Sequence, residues 1–185
     1  WRRRVMAGAS FAAIGAGTWG LWRVGLREGL RNDCRADLPP SLAQHALVDE
    51  AWADLDPADV WDVHVHLVGT GDSGSGVTMN PALSSPANPK LYAQYLFYLN
   101  AGCVHDAPGR VDASYVARIQ NLVHGMRHGF KVMLYAFDAA IDARGRPLPE
   151  ATMFHVPDAY AAAVAARHPD EFEWVASIHP YRGDA

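Results

Sequence analysis

Cysteine is scarce in this chain: Cys34 and Cys103 are the only two in 185 residues. Two cysteines exclude a zinc ribbon and a disulfide framework, and they leave the redox compartment open. Charge is sparse as well, at 19% of residues, while half of the chain is apolar. That mixture excludes a disordered or collagen-like chain and leaves an ordinary globular one. The body of the chain also lacks any basic surplus. Residues 36–185 carry nine Lys or Arg against eighteen Asp or Glu, a balance of −9. So acidic a body repels phosphate backbones, which excludes nucleic acid as a partner. No internal repeat and no low-complexity tract is visible.

What is present begins with a basic and apolar segment. Residues 1–35 hold seven Arg against Glu28 and Asp33, a balance of +5. Arg2, Arg3 and Arg4 precede Val5–Trp22, eighteen residues without a charge. This is the order of a secretory signal or an uncleaved signal-anchor. Trp19 and Trp22 stand where an interfacial aromatic belt would sit, and the run is at the short end for a bilayer span. The paired arginines also resemble a twin-arginine export signal. The expectation is a signal or membrane anchor over 1–35, with the rest exported or held on the periplasmic or extracellular side. Arg23, Arg27 and Arg31 beyond the run, and the lack of an A-x-A site, support the alternative: a helix buried in a cytoplasmic fold.

Beyond residue 35 the pattern alternates between helix and strand. Residues 36–57 read as a capped helix and linker, with Ser41 and Gln44 forming an S-x-x-Q box ahead of Leu42, Ala46, Leu47, Ala51 and Trp52. Val60–Val68 alternates as a strand. Residues 69–90, rich in Gly, Ser, Pro and Asn, read as one long loop. Leu91–Val104 is apolar almost throughout, which predicts a buried helix. Asp112 is the expected cap of the next helix, with Tyr115, Val116, Ile119, Leu122, Val123 and Met126 on one face and Gly129 at its end. Strands are expected over Lys131–Asp138 and Phe172–His179, with an Ala-rich helix from Asp158 to Arg167 between them. Strands separated by helices point to a parallel sheet with both faces covered.

The residues with the most chemistry are Asp62, His64 and His66. Residues two apart in a strand share a face, so this D-x-H-x-H run is expected to present three polar groups together. Burying such groups unpaired is costly. Two imidazoles roughly 6.6 Å apart along a strand can converge on one ion, since each nitrogen sits about 2 Å from the metal. His64 and His66 are therefore the candidate metal ligands. Asp62 is a candidate to orient one of them from behind, with a purely structural hydrogen bond as the alternative.

The strand ending in Asp62, His64 and His66 resembles the first strand of the metal-dependent amidohydrolase superfamily. Phe154–Tyr160, Arg167–Phe172 and Ser177–Pro180 resemble its amidohydrolase-related branch, in which a helix ending in His-Pro-Asp leads into an apolar strand. The resemblance spans about residues 58–185. It implies a (β/α)8 TIM-barrel fold, of which this chain would hold the first three β/α units, because a complete barrel takes about 250 residues. It also implies a divalent metal, zinc in the first place, held by His64, His66 and ligands from later strands that have no counterpart here. In the complete enzyme, metal-activated water would attack a small organic substrate, and a strand-eight aspartate would take the proton. The chain is accordingly expected to be the front part of a longer hydrolase and inactive by itself. Two alternatives stay open: a metal-dependent decarboxylase or other lyase on the same scaffold, and a noncatalytic membrane-tethered binding module.

Asp138, His155 and His179 are the remaining candidates, as substrate contacts near strand ends. Tyr181 and Arg182 could meet an anionic substrate group. Gly69–Gly74 matches G-x-G-x-x-G, but no helix opens after it, so a flexible lid is expected there rather than a nucleotide loop. His124 and His128 lie four apart on a helix, where a solvated helix end is expected. The sequence leaves the substrate and the oligomeric state open.

Overall fold

The computed structural model describes Cys34, residues 38–104 and residues 109–183. The proposed export segment, apart from Cys34, lies outside the described residues. Among the described residues no helix is long and apolar enough to cross a membrane.

Two short helices come first, α1 (Pro40–Ala43) and α2 (Ala46–Trp52). The expected capping box is absent, because Ser41 lies inside α1. The chain breaks at Gln44, and the His45 side chain caps α2 by accepting from the N–H of Leu47 at 3.2 Å. Strand β1 (Trp61–His66) comes after a 3-10 turn over Pro57–Asp59. The span expected to be one loop contains a two-residue strand, β2 (Thr78–Met79), and a one-turn helix, α3 (Pro81–Ser84). Helix α4 (Pro89–Ala101) buries only Leu96 and Asn100. Its expected burial is therefore wrong: Phe97 is 53% exposed. Then come α5 (Val111–His124), β3 (Lys131–Tyr135), β4 (Phe154–His155), α6 (Asp158–Arg167) and β5 (Phe172–Val175).

The strands β1, β3 and β5 form a parallel sheet in that order, and β2 pairs antiparallel with β4. The parallel sheet and its intervening helices agree with the sequence pattern. The (β/α)8 barrel does not. The described residues build an open three-stranded sheet with β1 and β5 as edges, beside a separate two-stranded ribbon. Closing a barrel depends on strand number, tilt and stagger together, and three strands are far short of the eight such a barrel uses.

The apolar core lies on one face of the sheet. Val132, Leu134 and Phe172 pack there with Val116, Ile119 and Val123 of α5 and with Ala161 and Val164 of α6. The opposite face carries His64, His66, Met133, Tyr135, Glu173 and Val175, none of them buried. Parallel sheets are normally covered on both faces. Here the histidines lie on the face left uncovered by the described residues.

Candidate metal centre

In β1 the expected alternation fails at one point. Asp62 pairs with Val132, while Val65 pairs with Leu134, so two residues of β1 oppose the single Met133. This is a β-bulge, and one extra residue inverts the side-chain phase of whatever precedes it. Asp62 is thereby taken out of the face it was expected to share with the histidines. Its Oδ1 instead accepts the backbone N–H of His64 at 3.1 Å. The Asp62 carboxylate therefore supports the bulge through the backbone rather than through either ring.

His64 and His66 stay on one side and converge. Their Nε2 atoms are 3.0 Å apart, with ring centroids at 4.9 Å. Tyr135, beside His66 on β3, contacts both rings, at 5.3 Å from His64 and 5.7 Å from His66. Phe137 meets His66 edge-on at 5.6 Å. Neither aromatic stands out in the sequence. The only signal for Tyr135 was its place at the end of an apolar strand, at the height where His66 ends its own.

The electrostatics arise from this packing. Burial lowers the His66 pKa below its ordinary value, and the like charge of His64 adds to the effect. The His66 ring is thus biased toward its neutral form, which is the form that binds metals. Its Nδ1 is buried and has no hydrogen-bond partner among the described residues. Two nitrogens about 2.0–2.1 Å from a tetrahedral zinc stand roughly 3.3 Å apart. The observed Nε2 separation is close to that, so the pair fits as two neighbouring ligands. Among the described residues, no group of three or more His, Cys, Asp or Glu side chains is placed to hold a metal ion.

The loop after β1 is a tied structure, not the flexible lid expected of it. Asp112, wholly buried, is not the cap of α5 but sits inside its first turn. Its Oδ1 accepts the N–H groups of Thr70 at 2.7 Å and Gly71 at 3.1 Å. Its Oδ2 accepts the hydroxyls of Ser73 at 2.9 Å and Ser75 at 2.6 Å. Burial works against ionisation, but the hydrogen bonds from Ser75, Thr70, Ser73 and Gly71 outweigh it and hold the carboxyl below its usual range. Asp72 answers from the loop by accepting the N–H groups of Val111 at 2.7 Å and Asp112 at 3.2 Å. Those are two of the donors a helix start leaves unpaired. The glycine-rich run is therefore neither a nucleotide loop nor a lid.

The other candidates fall into separate places. Asp138 and His179 do meet, beyond the carboxyl ends of β3 and β5: Asp138 Oδ2 accepts the backbone N–H of His179 at 2.7 Å. The same oxygen accepts from Arg182 Nη1 at 3.2 Å, and that guanidinium also reaches Asp158 Oδ2 at 3.4 Å. Arg182 is thus engaged by two carboxylates and is not held out for an anionic substrate. The His179 ring accepts the N–H of Tyr181 at Nδ1 and packs beside that tyrosine. His155, in β4, lines a different cavity of about 280 Å³ with Asn80, Pro147 and Thr152. His124 is not simply solvated: it pairs with Glu171, whose other oxygen accepts from Gln120 at 2.9 Å. Cys34 and Cys103 form a disulfide, which their spacing in sequence gave no means of reading.

Compared with protein-family models, with curated proteins and with solved structures, the chain matches none of them.

Proposed function

We propose that this chain carries the two-histidine part of a metal-dependent hydrolase site that acts on a small-molecule substrate. The observation behind this reading is the 3.0 Å separation of His64 Nε2 and His66 Nε2 on the uncovered face of the sheet. Like charges that close would repel, and the lowered pKa of His66 favours neutral imidazole nitrogen, a good ligand for zinc. The resemblance of the Asp62–His66 strand to amidohydrolases points the same way. When bound, a divalent ion would make coordinated water acidic and polarise a substrate carbonyl.

The remaining work belongs to the chain itself. His64 and His66 would hold the ion through Nε2. Tyr135 and Phe137 pack against the rings, limiting their rotation and keeping water from that side. Asp138 is tied to Arg182 and the His179 backbone, so it is not placed to take a proton from water. With two imidazoles and no base at hand among the described residues, the chain alone is expected to bind metal without turnover. A binding module is the second reading, and it is favoured by the lack of a third ligand among the described residues. The Cys34–Cys103 disulfide supports export, because such bonds persist in oxidising compartments.

Zinc titration by calorimetry tests the proposal. One equivalent should bind, and His64→Ala with His66→Ala should abolish binding. Equal zinc uptake by the doubly substituted protein would sink the reading.

A further inference from the structure

We propose, resting on the reading of His64 and His66 as zinc ligands, that a second copy of this chain completes the metal site. The two copies pair antiparallel along the free edge of β1, and their four imidazoles hold one zinc on the twofold axis.

The donor set is the first observation. Structural zinc is almost always four-coordinate and tetrahedral. His64 Nε2 and His66 Nε2, 3.0 Å apart, are two such donors, and no third joins them among the described residues. Tyr135 and Phe137 pack on the rings from β3 and the residues after it. The approach left to further donors is the side of β1 that faces away from β3.

That side is a strand edge open to pairing. Among the described residues, β1 has β3 as its one neighbour. The N–H of Leu67 goes to the Tyr135 carbonyl at 3.4 Å, so His66, one residue earlier, turns its own N–H and carbonyl to the free edge. His64 shares that phase, and its N–H is met by the Asp62 carboxylate at 3.1 Å. A groove of about 620 Å³ runs beside the strand, its lining including Asp62, His64, Val65, Leu122 and Met126. Leu122 is 44% exposed and Met126 50%, so the groove offers apolar surface that a second strand would cover. Unpaired edges are templates for another strand, and in a twofold dimer both copies present the same patch.

Symmetry fixes the register. An axis at the level of Val65 sets His64 of each copy opposite His66 of the other. Both residues turn their backbone groups outward, so each couple forms a hydrogen-bonded pair, and His64 exchanges the Asp62 carboxylate for the facing His66 carbonyl. Residues directly opposite have Cβ atoms about 5 Å apart, and residues two apart along a strand lie about 6.6 Å apart. Four imidazoles at those corners surround the axis, where one ion meets them all. An axis at His64 would instead face His66 with Asp62, which the bulge has turned off the histidine face. Each chain carries a formal charge of −4, so the copies repel until the dication joins them.

Sedimentation of the full chain at rising zinc, beside calorimetry, tests this. Half an equivalent should double the mass from 20.1 kDa, and EDTA should reverse it. Excess zinc should part the dimer and leave one ion on each chain. X-ray absorption at half an equivalent should count four imidazole nitrogens at about 2.0–2.1 Å. Leu122→Glu with Met126→Glu puts charge into the groove away from the ligands; this variant should take one zinc per chain and keep the monomer mass. Zinc uptake with no change in mass would overturn the pairing while the two-histidine reading stands. A dimer that survives His64→Ala with His66→Ala, or one undiminished by the groove substitutions, would overturn it as well. No zinc uptake at all would overturn both.

Discussion

Asp72 and Asp112 hold each other's surroundings in place. The Asp72 carboxylate takes the N–H of Asp112, while the Asp112 carboxylate takes donors on both sides of Asp72, from Gly71 and from Ser73. The loop that leaves β1 and the helix that backs the sheet are therefore fastened at one buried point. Asp112→Ala should lower unfolding stability by roughly 3 kcal/mol, because several part-buried donors lose a charged, wholly buried acceptor at once. Gly69→Ala should do comparable damage, since a Cβ there would collide with Asp112 Oδ1. Denaturant unfolding of both variants checks this. Loss in one without the other would mean that the carboxylate and the loop are not coupled.

Acid should loosen the same fastening. Asp112 and Glu171 both titrate below their ordinary values in the folded chain. A depressed carboxyl pKa adds stability at pH values above the unfolded pKa, and that gain disappears as pH falls through the folded pKa. For Asp112 the decline should begin below the ordinary 3.8, and for Glu171 below 4.5. Thermal unfolding measured from neutral to acid pH should show this fall, and Asp112→Asn should flatten it.

The histidine pair should give metal binding its own pH dependence. His66 titrates below the ordinary 6.5, so it stays neutral further into acid than a free imidazole does. Zinc affinity should therefore hold near neutrality and fall as pH drops through the lowered value. Tyr135→Ala should loosen the ring packing and weaken binding about tenfold, within the range seen when groups supporting a metal ligand are lost. Unchanged affinity in that variant would show that the tyrosine is a bystander.

Arg182 should matter to stability more than to binding. It lies between Asp138 and Asp158, so Arg182→Ala leaves two half-buried carboxylates without a shared cation. A loss of roughly 2 kcal/mol is expected. Replacing Asp138 with Asn as well should recover part of it. A double-mutant cycle measures the coupling, and additive losses would rule the network out.

Sequence reasoning reached the three parallel strands because Val132, Leu134 and Phe172 belong to short apolar runs bounded by turn residues. It also placed His64 and His66 correctly on one face, because alternation is local. It failed with Asp62, since a bulge shifts register through pairing with a strand far along the chain. It failed with Asp112 for a related reason: a carboxylate at a helix start looks like a cap, and only the folded loop reveals what it accepts. The barrel expectation failed because strand number is a property of the whole sheet. The disulfide was invisible, for two cysteines far apart in sequence carry no distance information.

The strand order also dictates a timetable for folding. No two strands of the parallel sheet are joined by a hairpin: β1 waits for β3, and β3 for β5, each across a long stretch of chain. Bringing distant segments together costs loop-closure entropy before any ladder bond offsets it, and such non-local topologies fold slowly. The exception is α6 with β5, neighbours in sequence that already touch across His168–Glu171. Nucleation should start there and spread through β3, leaving β1 as the last strand to join. The two histidines would then meet Tyr135 only at the end of folding, on an edge strand paired along one side.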